Sequence, residues 1–167
     1  MNGVGFSIWI VPEGGERRRL AELIRALARR FGAPVFDPHV TVLAGVPGPA
    51  ADVVARARDA VGGRGPLRLT FAGPVAGDTY FRCLYLPVEP SPELLARRAA
   101  AAEAFGRGDE PPFVPHLSLL YASPPAPPIA DELRGAFPDG FDAASIDVYS
   151  TEGNVASWHR VGRLPVR

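Results

Sequence analysis

The sequence predicts one domain of mixed strands and helices, built as two similar lobes that face each other. Three observations carry that reading. With 167 residues and 47% apolar content, the chain can bury one core well and two only poorly. Its halves pass through the same order of elements: strand, helix, strand, helix, strand. An eight-residue stretch also occurs twice, as "FDPHVTVL" (Phe36 to Leu43) and "FVPHLSLL" (Phe113 to Leu120), at the same place in each half. The lobe-forming repeats run from about residue 4 to 73 and from about 79 to 162 within a single domain spanning 1–167.

The first half opens with "VGFSIWIVP", a β-rich run stopped by Pro12. In the next segment Leu20, Leu23, Ile24, Leu27 and Ala28 recur at helical spacing until Gly32 and Pro34 close the helix. A strand from His39 to Ala44 follows, then a shorter helix in "PAADVVARARDAVGG" ended by its glycines, then the strand "LRLTFAGP". The second half begins with the strand "TYFRCLYLPVEP". Its helix, "SPELLARRAAAAEAFG", has Ser91 as the capping residue and Pro92 at its first position. The second copy of the repeated stretch comes next, and the Pro-rich "ASPPAPP" leads to a short helical segment from Ile129 to Phe137. The strands "DAASIDVYST" and "ASWHRVGRL" finish the chain around a turn at Gly153-Asn154. The proline-rich segments 45–49 and 124–128 read as stiff connections, because composition does not change across them.

Composition removes several functions. Eighteen acidic residues balance 18 basic ones, so no overall positive field is available to hold a long polyanion. Extended RNA or DNA is not the expected partner. Every basic residue is Arg, which excludes a lysine Schiff base or nucleotidyl-lysine intermediate. Cys83 is the lone cysteine, so an intrachain disulfide is impossible and a reducing, cytoplasmic setting is expected. The N-terminal stretch lacks the features of a secretory signal, and no segment reaches membrane-spanning length.

The repeated stretch carries the chemistry. Side chains alternate on a strand, so His39 and Thr41 share one face while Val40 and Val42 take the other; His116 and Ser118 stand in the same relation, opposite Leu117 and Leu119. Pro38 and Pro115 hold the preceding residues extended and mark where each strand begins. If the two strands lie side by side at a pseudo-twofold axis, two histidines and two hydroxyls converge from positions 77 residues apart. That set suits in-line displacement at phosphorus. One neutral imidazole takes a proton from the attacking water and one protonated imidazole gives a proton to the departing oxygen. Thr41 and Ser118 then donate hydrogen bonds to the non-bridging oxygens as charge grows there. Water is the nucleophile, so no metal or cofactor is required. A zinc site would need a third ligand, and Cys83 and His159 follow no recognised ligand spacing. His159, in "SWHRV", lacks a partner motif and reads as a surface strand residue.

With these paired motifs the chain resembles the two-histidine (2H) phosphoesterases, and within them the small cyclic phosphodiesterases of plants and yeast. The likeness rests on "FSIWIVP", "FDPHVTV", "YFRCLYLPVEPSPEL", "FVPHLSLLYA" and "SWHRV", from about residue 6 to about residue 161. It implies an α+β fold of two pseudo-symmetric lobes, with antiparallel sheets lining a central cleft and helices outside. It also implies hydrolysis of ADP-ribose 1'',2''-cyclic phosphate to ADP-ribose 1''-phosphate and of nucleoside 2',3'-cyclic phosphates to 2'-phosphates. Carried onto this chain, His39, Thr41, His116 and Ser118 are the catalytic tetrad, with His116 as base and His39 as acid, although the near-symmetry of the motifs permits the reverse. Tyr121 matches a substrate-contacting tyrosine, and Trp9 an aromatic near the bound nucleotide. The plant enzymes' disulfides have no counterpart here.

Alternation along the first strand agrees, since Phe6, Ile8 and Ile10 form an apolar face and leave Ser7 and Trp9 towards the cleft. An aromatic stacked on a base contributes about 1 to 3 kcal/mol. In the related strand Phe81, Cys83 and Tyr85 share a face opposite Tyr80, Arg82 and Leu84, and Arg82 is the candidate phosphate contact. Two alternatives stay open. One is an RNA terminal 2',3'-cyclic phosphodiesterase resembling the 2'-5' RNA ligase-like proteins, which the arginines between Arg17 and Arg30 keep in play. The other is a non-hydrolytic module that binds cyclic nucleotides, which would not need two titratable groups.

Overall fold

The computed structural model describes residues 1–108 and 110–166. Three helices, α1 (Gly14–Phe31), α2 (Ala50–Val61) and α3 (Pro92–Ala104), alternate with nine strands. The strands are β1 (Phe6–Val11), β2 (Val40–Val46), β3 (Arg68–Thr70), β4 (Val75–Thr79), β5 (Arg82–Pro87), β6 (His116–Leu120), β7 (Gly140–Asp142), β8 (Ser145–Ser150) and β9 (His159–Pro165). The fold is α+β, as the sequence predicts. Local signals set the helix ends: Gly32 adopts the left-handed conformation (φ 63°) past α1, and the Ser91 hydroxyl accepts from the Leu94 amide at the start of α3.

Seven strands form one antiparallel sheet in the order β4-β5-β6-β2-β1-β8-β9, and β3 pairs with β7 in a separate ribbon. The motif strands β2 and β6 are neighbours at its centre. They meet through a single ladder pair, Val40 with Leu117. Beyond it the two halves of the sheet part, and a cleft opens between them. The sheet mixes the two halves of the sequence, because β8 and β9 cross over to pair on β1 while β4 and β5 form the other edge.

The duplication extends to the register. Trp9 lies opposite Thr41 and Ile8 opposite Leu43, so Val42 is an extra residue on β2; Tyr85 lies opposite Ser118 and Leu84 opposite Leu120, so Leu119 is the same extra residue on β6. Each motif strand thus carries a bulge just after its hydroxyl, where bulges re-aim side chains. Val40, Val42, Leu117 and Leu119 are buried in the core. Helix α1 packs on β6 and α3 on β2, so the apolar faces are covered and the polar ones are left to the cleft.

Two strands are absent from the periodicity. The segment that forms β4, "VAGDT", is mostly exposed and has no apolar alternation; Gly77 lets it approach β5, since a Cβ there would strike the Arg82 carbonyl. β7 is three residues held by its pairing with β3. The segment 129–137 makes only one 3-10 turn, Asp131–Leu133, held on the core by Ile129 and Leu133. Among the described residues no helix is long and apolar enough to cross a membrane.

Candidate active site

Each histidine is fixed by the dipeptide before it. His39 Nδ1 lies 2.6 Å from the Asp37 carbonyl and His116 Nδ1 lies 2.7 Å from the Val114 carbonyl, both two residues upstream across a proline. A carbonyl only accepts, so Nδ1 carries the hydrogen in both rings. Each neutral imidazole therefore offers the lone pair of Nε2, the form needed to take a proton from, or after protonation give one to, a reacting oxygen.

The cleft holds a cavity of about 430 Å³, within the range of small-ligand sites. His39, Thr41, His116 and Ser118 line it together with Trp9 and Tyr121. Phe81 and Trp158 add further aromatic wall, and Ser7 and Thr151 add hydroxyls at the side nearest the N-terminus. No arginine lines it among the described residues. The walls are largely apolar, so charge introduced by a ligand meets the two imidazoles and little else.

The two histidines differ in surroundings. His39 is 5% exposed, and burial pushes its pKa down to about 4, against the opposing pull of the Asp37 carbonyl and carboxylate. Its ring stacks on the indole of Trp9 with centroids 3.6 Å apart and planes 9° from parallel. The Tyr121 hydroxyl stands 3.5 Å from its Nε2, and burial holds that phenol well above its ordinary pKa, so it keeps its proton. His116 is half-buried. Burial lowers its pKa too, and the positive charge of Arg82 lowers it further. Tyr85 meets its ring edge-on at 5.4 Å.

Ser118 donates to the Phe81 carbonyl at 2.7 Å. Its hydroxyl must turn away from that carbonyl before it can donate to a phosphate. Thr41 faces the cavity partly exposed.

Six of the seven residues singled out from the sequence thus reach one cavity, and Arg82 does not line it. The Arg82 guanidinium instead lies over the Tyr85 ring, 5.6 Å from the centroid, and pairs with Asp78 at 3.3 Å. It influences the site through its charge on His116. Trp9 also differs from expectation. β2 and β8 flank β1 on opposite sides, and His39, just before β2, covers one face of the indole at 3.6 Å while Tyr149 of β8 covers the other at 4.0 Å. No face is left for a base, and only the edge of Trp9 meets the cavity. Phe81 and Trp158 are wall residues that sequence reasoning did not assign. Phe81 stands just before β5 with the parity opposite to Arg82, so alternation does not point to it, whereas Trp158 follows a 3-10 turn (Val155–Ser157) just before β9 and carries no alternation signal. His159 is exposed on β9, and among the described residues no three His, Cys, Asp or Glu side chains gather as metal ligands.

A family model described as the 2'-5' RNA ligase superfamily matches residues 12–155. A protein of Arabidopsis thaliana named cyclic phosphodiesterase is 30% identical over 117 residues, which are 70% of this chain and 65% of that protein. The chain therefore aligns with just under two thirds of that relative's length. Among solved structures, E. coli LigT complexed with ATP has a TM-score of 0.64 at 14% identity, covering 99% of both chains, and LigT complexed with 3'-AMP a TM-score of 0.63 at 15% identity, again covering 99% of both. A Thermus thermophilus protein, TT0787, has a TM-score of 0.63 at 18% identity and covers 98% of both chains. At these identities the structural likeness speaks for the fold.

Proposed function

The chain belongs to the 2'-5' RNA ligase superfamily, and from that premise we propose that it is a metal-independent cyclic phosphodiesterase working by paired-histidine acid–base catalysis. The observation that carries the reading is the shared tautomer: two imidazoles, each held through Nδ1, present Nε2 to one small cavity. Water attacks phosphorus as His116 Nε2 takes its proton. The bond from phosphorus to one ribose oxygen breaks as His39 Nε2–H protonates that oxygen, leaving a phosphomonoester on the other. Thr41 and Ser118 donate to the non-bridging oxygens.

Charge supports this division of labour. Arg82 beside His116 disfavours its cation and keeps it a base, whereas at His39 the Asp37 carbonyl and carboxylate favour the cation against the opposing charge of His116. Burial works the other way at His39, yet substrate changes that balance. An anionic phosphate about 4 Å away contributes about 4 kcal/mol at an effective dielectric of 20, about three pKa units. The indole against the imidazole face adds cation–π stabilisation of about 2 kcal/mol in a desolvated site. Together they offset the drop from 6.5 to about 4, so His39 is protonated when substrate is bound.

The lack of an arginine in the cavity wall among the described residues favours substrates with one negative charge there. Nucleoside 2',3'-cyclic phosphates fit that condition better than ADP-ribose 1'',2''-cyclic phosphate, whose diphosphate needs cations outside the cavity. The plant relative's name and the nucleotides in the LigT structures agree with a small nucleotide as the ligand. The test is a product assay across nucleoside 2',3'-cyclic phosphates, ADP-ribose 1'',2''-cyclic phosphate and RNA ending in a cyclic phosphate. Conversion of the mononucleotides to 2'-phosphates at the highest kcat/KM supports the reading; binding without turnover of any of the three refutes it, and preference for the RNA end assigns the site to RNA-end chemistry instead.

A further inference from the structure

We propose that Tyr149 and Asp37 are positioning residues for His39, bracing it through Trp9 and through the Asp37 backbone so that its ring stays in place and its charged form is stabilised. The inference rests on the reading above that His39 is catalytic. It starts from a closed ring of contacts. His39 lies against one face of Trp9 at 3.6 Å and Tyr149 against the other at 4.0 Å, with the Trp9 and Tyr149 planes 24° apart, so the stack runs from the residue just before β2 across β1 to β8. The Tyr149 hydroxyl then donates to Asp37 Oδ2 at 3.1 Å. The circuit closes at the Asp37 carbonyl, which accepts from His39 Nδ1 at 2.6 Å. One aspartate thus holds both ends of the stack, with its other carboxylate oxygen receiving Arg17 of α1 at 3.1 Å.

Neither Tyr149 nor Asp37 lines the catalytic cavity, so any effect they have on turnover passes through His39 and Trp9. Around His39 the titratable and charged groups are Asp37 before β2, His116 at the head of β6, Tyr121 after β6 and, beyond Trp9, Tyr149 of β8. Arg17 is half-exposed on Asp37 and screens its charge only weakly. Burial and the nearby Asp37 push the Tyr149 phenol up to about 12, so its hydroxyl remains a donor across the working pH range. Anchored by Tyr149, the indole presents a fixed π face to the imidazolium, the arrangement in which cation–π attraction is strongest. A loose Trp9 would let the ring and its Nε2 swing.

The experiment is an NMR titration of the His39 ring in the wild-type protein, Tyr149→Leu, Tyr149→Phe and Asp37→Asn, alongside pH–rate profiles on a nucleoside 2',3'-cyclic phosphate. Tyr149→Leu and Asp37→Asn should each lower the His39 pKa by about one unit, a tenfold smaller protonated fraction. On the basic limb of the pH–kcat profile, which His39 sets in the complex, kcat should fall about tenfold while KM moves less than about twofold. Tyr149→Phe keeps the stack and should recover most of the loss. Unchanged His39 titration in folded Tyr149→Leu and Asp37→Asn overturns the proposal. Should Tyr149→Leu fail to fold, Asp37→Asn decides alone, because its carboxylate is 46% exposed. The titration needs no turnover: if His39→Ala keeps full activity the functional reading fails, while the measured pKa still decides whether Tyr149 and Asp37 act on His39.

Discussion

Acidification should weaken this fold by about 3 kcal/mol through one side chain. Burial holds the His39 pKa at about 4 in the folded protein, whereas the unfolded chain restores about 6.5. The gap of about 2.5 units corresponds to about 3 kcal/mol at 1.36 kcal/mol per unit. The folded state is the weaker proton binder, so its stability is complete above about pH 6.5, falls as pH drops, and levels off below about pH 4. Against the 5 to 15 kcal/mol that holds a typical domain together, that loss is large. The assay is urea unfolding at steps between about pH 7.5 and about pH 4, on wild type and on His39→Gln, which cannot titrate. Groups remote from His39 titrate in both proteins and cancel in the comparison. Wild type should lose about 3 kcal/mol more than the variant across the window. Parallel curves would refute the reasoning, because His39 would then be solvated or charged in the folded state.

Chelation with EDTA should leave hydrolysis intact, since protonated imidazole and hydroxyl donors supply the stabilisation otherwise asked of a metal; loss on chelation with recovery on added zinc contradicts the mechanism. Arg82→Ala removes a cation that lowers the His116 pKa, so the acidic limb of the pH–kcat profile, where bound substrate keeps His39 the acid, should move to higher pH. A limb that stays put or moves down assigns the base elsewhere. Ser118→Ala should cost about 10²-fold in kcat, the lower end for one lost donor to a developing oxyanion, because its hydroxyl must first leave the Phe81 carbonyl. Near-normal kcat in that variant would place Ser118 outside the reaction.

The polar half of the site was legible because period-two alternation decides which side chains share a face. His39 with Thr41 and His116 with Ser118 face the cavity, and Val40, Val42, Leu117 and Leu119 fill the core. Trp9 reaches the cavity for the same reason, whereas Tyr121, which only the family resemblance indicates, has the opposite parity to His116 and Ser118 and lies beyond the bulge at Leu119. What alternation cannot express is which distant segment becomes the adjacent strand. Nothing in "SIWIV" indicates that Tyr149, 140 positions later, covers the back of Trp9, so the indole reads as a free platform although both its faces are taken. Arg82 shows a different limit, since its long side chain curls over Tyr85 and towards Asp78 of β4, a strand whose exposed residues leave no hydrophobic trace. The crossing of β8 to β1 is likewise a long-range pairing. Asp147 records it: lying opposite Trp9 and only 1% exposed, it is neutralised by Arg160 and Arg163 of β9, a network visible only once the strands are paired.

The most direct test of two imidazoles with opposite duties is the leaving-group dependence of kcat/KM in His39→Ala and His116→Ala. On a nucleoside 2',3'-cyclic phosphate each change should cost about 10²- to 10⁴-fold, the range for a positioned proton-transfer group, and the wild-type rate should trace a bell against pH whose limbs belong to the pair. A nitrophenyl phosphodiester releases an oxygen that needs no proton. On that substrate His39→Ala should recover close to wild-type turnover while His116→Ala stays slow. Rescue of His116→Ala instead exchanges the roles of the two histidines, and near-normal turnover of both variants on the cyclic nucleotide contradicts paired-histidine catalysis altogether.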